Sequence, residues 1–180
     1  MRTRARTAGA RCALERASVL VGIDADFLGT WVSPVEFTRG YREARSLDGD
    51  PPRCSYHVQF EGRLSLTGTK ADLRVRILPE DEPRVIEQLV ARVAAKAGVA
   101  FEARGGAPAV DGAVLDDLAA RLWAARGESL VMAGTPDLAA QGLVNYLNQL
   151  LGNYGRTIDL DRPSRQRRGG DAGVERLAGE

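Results

Sequence analysis

"ASVLVGIDADFLGTWVSPVEF", residues 17–37, decides the fold. Its first third, "ASVLVGI", is an unbroken apolar run rich in β-branched residues, the pattern of a strand buried on both faces. Its last third carries a helix start. Ser33 stands in capping position, Pro34 suits the first helical position, and Glu36 completes a Ser-x-x-Glu capping box. Between them lie Asp24, Asp26, Phe27, Leu28, Gly29, Thr30 and Trp31. A loop that only turns the chain needs glycine and polar residues. The aromatic and aliphatic side chains therefore raise the question whether this junction serves a ligand, a partner or the protein's own core.

Working outward, the first helix is expected to run to about Ala44, with the loop "SLDGDPPR" after it. "SYHVQFE" (55–61) reads as a second strand, "GRLSLTGTKA" (62–71) as a loop, and "DLRVRIL" (72–78) as the site of a short strand. Asp81 and Pro83 open a second helix with Val85, Ile86, Leu89, Val90 and Val93 on one face and Gly98 as terminator. Asp111 can cap a third helix whose stripe is Val114, Leu115, Leu118, Leu122 and Trp123. "ESLVMAG" (128–134) is another buried strand. "TPDLAAQGLVNYLNQLLGN" (135–153) is a fourth helix, with Thr135 as cap, Pro136 at the first position and Gly152 at its end. "RTIDL" (156–160) is a last short strand. Strands alternating with helices predict a three-layer α/β fold with a mostly parallel sheet. The expected organisation is a basic tail over 1–12 and one domain over 13–161, with a linker near 99–111. A polar, disordered tail then follows over 162–180.

At 180 residues the chain holds one domain with a proper core. A net charge of +1 offers no case for nucleic acid as a partner. Lys70 and Lys96 are the only lysines, an arginine bias that reflects GC-rich codons. Cys12, Cys54 and the single histidine, His57, are too few and too scattered for a zinc, haem or iron–sulfur site. "MRTRARTAGARCALERA" is basic but lacks the apolar core, roughly 7–15 residues long, of a signal peptide. No apolar run approaches the roughly 20 residues of a membrane helix. As written, the chain is expected to be cytoplasmic, without direct membrane insertion.

In open α/β sheets, ligands bind beyond the carboxyl ends of the strands. Two junctions, "GIDADFLGTWVSPVE" and "VMAGTPDLA", belong on that edge, and Gly29, Thr30, Gly134 and Thr135 could admit a phosphate or pterin-like ligand there. Equally, those glycines and caps build tight βα turns. Neither junction has G-x-G-x-x-G or a lysine-bearing phosphate loop, which disfavours a plain nucleotide enzyme. Asp24 and Asp26 alternate in direction if the strand continues, so a catalytic carboxylate pair is not implied. His57 reads as a packed or edge histidine. Ser33 and Ser65 lack a nucleophile context. "SLTGTKAD" (65–72), with its hydroxyls, Gly68 and Lys70, suits ligand contact or an ordinary turn.

Three blocks carry a resemblance: "ASVLVGIDADFLGTWVSPVEFTRGY", "RLSLTGTKADLRVRILP" and "GLVNYLNQLLGNYGRTIDL". Together they resemble the molybdopterin-oxidoreductase-like large iron–sulfur subunit of alternative complex III, a membrane-bound quinol-oxidising complex. The resemblance spans roughly residues 13–168, and "LNQLLGNYGRT" is similar to a block shared across molybdopterin oxidoreductases. It implies a Rossmann-like domain, and a central piece of a larger subunit whose sheet edges and apolar faces other parts cover. It also implies that residues 24–30 and 134–137 lie at strand ends facing a pterin-guanine dinucleotide in active relatives, and that residues 65–72 contact the same dinucleotide. Departures matter here. "PEDEP" (79–83) replaces a Pro-Gly-Thr-Asp block, Phe27, Leu28 and Trp31 fill cofactor space, and no molybdenum ligand or cluster-binding cysteines are present.

Three functions are therefore expected in competition. The first is a scaffold without its own redox centre or cofactor, not catalytic by itself. Its partners would be the rest of the parent subunit and the iron–sulfur, cytochrome and quinol-binding subunits of a respiratory complex on the periplasmic side of the membrane. The second is part of an active molybdenum oxidoreductase, holding molybdopterin guanine dinucleotide through Asp24, Asp26, Gly29, Thr30, Ser65, Thr67, Gly68, Asp72, Gly134 and Thr135. The third is a stand-alone α/β enzyme acting on a phosphorylated small molecule.

Overall fold

The computed structural model describes residues 9–48, 52–104 and 109–164. In chain order the elements are β1 (Gly9–Cys12), β2 (Val19–Ile23), α1 (Pro34–Ala44), β3 (Tyr56–Glu61), β4 (Leu73–Arg76), α2 (Glu82–Ala97), α3 (Gly112–Ala124), β5 (Ser129–Ala133), α4 (Leu138–Leu150) and β6 (Ile158–Ser164). The protein is mixed α/β. Four strands form an all-parallel sheet in the order β4-β3-β2-β5. Val21 pairs with both Val58 and Val131, and Ile23 with Phe60 and Ala133, so the opening run is the centre of the sheet.

Alternation along these strands sorts side chains into two cores. Val19, Val21, Ile23, Val58, Phe60 and Val131 face α2, α3 and α4, meeting the buried stripe Val85, Ile86, Leu89, Val90 and Val93. Leu20, Leu130 and Met132 face the other way, against α1 and the junction residues Phe27 and Leu28. Helices thus cover both faces, an arrangement compatible with a Rossmann-like fold. Among the described residues, no helix is long and apolar enough to cross a membrane.

Several local expectations change. Gly9–Cys12 is not tail but strand, pairing antiparallel with β6 in a separate two-stranded sheet. β6 reaches Ser164, beyond the expected end at residue 161; residues 1–8 and 165–180 lie outside the described residues. The capping box does not form. Ser33 makes no side-chain cap hydrogen bond, and Glu36 instead accepts from Arg11 Nε at 2.9 Å. At the fourth helix the cap is Asp137, whose side chain accepts from Ala139 N at 2.8 Å. Thr135 Oγ1 accepts from Asp137 N one step earlier, so Thr135 and Pro136 belong to the turn before the helix. Asp111 caps α3 as its position implies.

β5 is the last strand of its sheet, yet every residue of it is buried. Its open side is closed by side chains. Thr157 Oγ1 donates to Ser129 O at 2.6 Å, Asn148 bonds both the N–H and the carbonyl of Val131, and Gln141 Nε2 donates to Ala133 O at 2.9 Å. The sheet edge expected to await another part of a larger subunit is therefore satisfied from within at β5. The opposite edge, β4, is only four residues long and carries Arg74 and Arg76, a short and charged edge that resists strand addition.

Candidate functional site

The strand order reverses between β2 and β5, so the carboxyl ends of these two strands form the crevice where α/β sheets take ligands. Asp24 follows β2 and Gly134 follows β5, and here they touch. Gly134 N donates to Ile23 O at 2.8 Å, and a Cβ on Gly134 would stand 2.1 Å from Asp24 O. Only glycine permits that approach. The two strand ends are packed against each other rather than parted around a ligand.

Phe27 answers the question posed by the junction. It is 0% exposed, with its ring 6.0 Å from Tyr41 and 5.3 Å from His57, beneath α1. Leu28 is buried beside it and Trp31 stacks on Phe37 at 5.7 Å. Burying a phenylalanine of this kind stabilises by about 2–3 kcal/mol, reason enough for a chain to spend three large side chains in one turn.

Asp26 then ties this turn to the loop after β3. Its Oδ1 accepts from Thr67 N at 3.1 Å and from Thr67 Oγ1 at 2.9 Å, and its Oδ2 accepts from Thr30 Oγ1 at 3.2 Å. Thr67 Oγ1 in turn accepts from Leu28 N at 2.9 Å, and Thr67 is fully buried. A Cβ on Gly29 would lie 2.2 Å from Asp26 Oδ2, so that glycine makes room for the carboxylate. Partial burial opposes ionisation of Asp26, but the Thr67 and Thr30 hydrogen bonds outweigh it and hold its pKa below the usual range.

A second clamp lies beside the first. Glu61, buried at the end of β3, accepts from Ser65 Oγ at 2.5 Å, from Ser65 N at 3.2 Å and from Arg74 Nε. Ser65 Oγ accepts from Gly68 N at 2.9 Å, and a Cβ on Gly68 would sit 2.0 Å from Glu61 Oε1. Glu61 carries no signal in the sequence as a site residue beyond its place at a strand end; its alternation with His57 and Gln59 on one face of β3 is what could have marked it.

The structure brings Asp24, Asp26, Gly29, Thr30, Ser65, Thr67, Gly68, Gly134 and Thr135 to the carboxyl edge, but not Asp72. That residue precedes β4 at the opposite, amino edge. It forms a two-pronged pair with Arg45 (2.7 and 2.8 Å) and accepts from His57 N at 2.8 Å. Arg45 is foremost in holding the Asp72 carboxyl low, against partial burial. Asp72 is an anchor for the start of β4. The loop from residue 65 to 72 crosses the whole sheet, so its two ends cannot share one ligand.

The electrostatics of the carboxyl edge are acidic. Asp24 is pushed above the usual carboxylate range by burial first, then by Glu61 and Asp26, with Arg63 opposing. Glu82, at the start of α2, is raised by burial and then by Asp24. A pyrophosphate brought here would meet these carboxylates. Among the described residues no group of three or more His, Cys, Asp or Glu side chains could hold a metal ion.

His57 is fully buried and sits between Tyr41 and Gln59. Its Nε2 lies 3.4 Å from Gln59 Oε1 and its Nδ1 3.2 Å from the Tyr41 hydroxyl, which also donates to Lys70 O at 2.8 Å. Burial drives its pKa down to about 4. A neutral imidazole sealed from solvent is a packing group, as the strand pattern around it implies.

No protein-family model matches the chain, and no curated protein matches it either.

Proposed function

We propose that this chain is a scaffold module without a redox centre of its own, forming part of a molybdopterin-oxidoreductase-like protein in a membrane-bound quinol-oxidising complex. The observation that carries the reading is the Asp26–Thr67–Leu28 clamp. The polar groups that a dinucleotide would need at the carboxyl edge are bonded to each other across the two loops. The ligand crevice is closed by its own walls.

A second feature supports a protein partner on that edge. Val32, Val35, Leu64, Leu66, Leu78 and Leu138 are large apolar side chains left exposed, Val35 at 85% and Leu138 at 86%. By topology they all fall on segments that leave the carboxyl ends of the four parallel strands. An apolar rim around a closed crevice suits burial against another protein surface. The three-block resemblance supplies the partner class: iron–sulfur, cytochrome and quinol-binding subunits, in a complex associated with the periplasmic face of the membrane. The fold would then be the Rossmann-like domain of that family.

The dinucleotide-binding reading finds less support, because it needs Asp24, Thr30, Ser65, Thr67 and Asp72 free and together. A stand-alone enzyme would need a nucleophile and base converging in an open cleft. Ser65, a serine hydroxyl with a carboxylate beside it, donates to the buried Glu61 and accepts from Gly68 N instead.

The test is to purify residues 1–180 from a molybdenum-replete host and assay pterin by fluorescence after oxidative release, alongside metal analysis. A folded, monodisperse sample with neither pterin nor molybdenum is expected. Stoichiometric pterin would overturn the scaffold reading.

A further inference from the structure

At the amino edge of the sheet, opposite the acidic crevice, four chain segments converge on a hollow of about 320 Å³. Arg16 precedes β2, Arg53 precedes β3, Gly127 and Glu128 precede β5, and Gly155 and Arg156 form the turn before β6. An adjoining hollow of about 350 Å³ shares Gly127 and Arg156 and adds Arg126.

Arginine outnumbers carboxylate in this lining, with Arg16, Arg53 and Arg156 set against the single Glu128. Several arginines on the helices are paired, as in Arg39–Glu43, Arg92–Asp116 and Arg121–Asp117. Arg16, Arg53, Arg126 and Arg156 have no carboxylate within 4.0 Å among the described residues. Gathering unpaired guanidinium groups in one place costs free energy through their mutual repulsion, and an anion bound between them removes that cost.

Two of the four groups are held in position. Arg16 Nη1 donates to Arg156 O at 3.1 Å, and Arg126 stacks over Trp123 at 4.1 Å. Gly127 has φ +78°, and a Cβ there would stand 2.8 Å from Arg156 Nη1, so the glycine lets the Arg156 guanidinium lie across the turn. Planar, fork-shaped donors of this kind match phosphate oxygens two at a time.

We propose that this hollow binds a compact polyanion of the diphosphate class. Arg16, Arg53 and Arg156 supply the charge, and Glu128 is the one carboxylate lining the site, weakening it. The site is independent of the scaffold reading and lies at the other end of the sheet from the crevice.

The experiment is calorimetric titration of the whole chain with inorganic pyrophosphate, repeated with ADP and with inorganic phosphate. Pyrophosphate and ADP are expected to bind alike, and phosphate more weakly. Arg16→Ala, Arg53→Ala and Arg156→Ala should each weaken pyrophosphate by about 5-fold or more, whereas Glu128→Gln should tighten it by about 2–5-fold. All four positions lie at the surface hollow, so an unchanged melting temperature and circular dichroism spectrum would separate lost binding from lost fold. Absence of saturable pyrophosphate binding, or affinity unmoved by these substitutions in folded protein, would overturn the proposal. The Glu128→Gln gain is the decisive arm, since damage to the fold cannot produce it.

Discussion

Asn148 lays its side-chain amide along Val131 as a strand neighbour would. Its Oδ1 accepts from Val131 N at 3.2 Å and its Nδ2 donates to Val131 O at 2.8 Å. The same Nδ2 donates to Val144 O, and Oδ1 also accepts from Asn153 Nδ2 at 2.8 Å. One buried amide thus ends the parallel sheet and ties α4 to its last strand.

Asn148→Leu keeps the size but leaves Val131 N–H, Val131 carbonyl and Asn153 Nδ2 short of a partner. Each buried group left unsatisfied costs about 1–3 kcal/mol, and relaxation shares part of the burden, so a loss of about 2–4 kcal/mol is expected in urea unfolding. The uncovered edge should also promote self-association in sedimentation velocity. A variant as stable and as monomeric as the parent would refute this role.

Thr67→Val tests the clamp at the carboxyl edge. The substitution keeps the volume of a fully buried side chain but removes both the donor to Asp26 Oδ1 and the acceptor for Leu28 N. Destabilisation of about 1–3 kcal/mol is expected. Hydrogen exchange should quicken in residues 26–31 and 65–70 while β1 and β6 stay as protected as before. Uniform quickening across the chain would mean that Thr67 supports the core at large rather than joining two loops.

The sheet was legible because β2 and β5 are continuous apolar runs, and such runs occur where a strand is covered on both faces. The stripe of α2 and the Asp111 cap were legible for the same kind of local reason. β1 was not, since "GARC" has no periodicity and becomes strand only by pairing with residues 158–164 far along the chain. Ser33 and Glu36 spell a capping box, but Arg11, brought close by β1, takes the Glu36 carboxylate. At the site, the position of the two junctions at the carboxyl ends of β2 and β5 was legible from the strand-to-helix order. What sequence could not convey was that Asp26 and Thr67 find each other across 41 positions, or that Asp72 serves the opposite end of the sheet.

His57 gives the protein a pH limb of its own. Its folded pKa lies at about 4, below the ordinary 6.5, because burial disfavours the imidazolium. The unfolded chain binds a proton as pH falls through 6.5, whereas the folded chain does not until about 4. Stability is therefore full above pH 6.5 and declines towards pH 4, by an amount on the order of 3 kcal/mol. His57→Gln should flatten the unfolding free energy between pH 6.5 and 5. The depressed carboxyls of Asp26 and Asp72 lose their contribution only as pH falls through and below the ordinary carboxylate range, so the two limbs separate. A parent protein whose stability is already flat over that window would show that His57 is not held neutral by burial.

Asp24 presents the opposite sign. It sits in the left-handed region at φ 48°, where asparagine and aspartate are the favoured non-glycine residues. Burial, then Glu61 and Asp26, raise its pKa, so ionising it costs the folded state more than the unfolded one. The native state is thus relatively favoured at acid pH and gives up stability as pH rises through the carboxylate range. Asp24→Asn preserves the backbone preference and removes the charge. Because the group is largely exposed, solvent screening limits the gain at pH 7 to a few tenths of a kcal/mol, seen as a rise of about 1–2 °C in melting temperature. That gain should shrink away as pH falls below the ordinary aspartate range, where the carboxyl is protonated in the folded and the unfolded chain alike. A fall in melting temperature at pH 7 would mean that the Asp24 carboxylate makes a favourable contact in the folded state. The acidic crevice would then be attractive to a cation rather than merely closed.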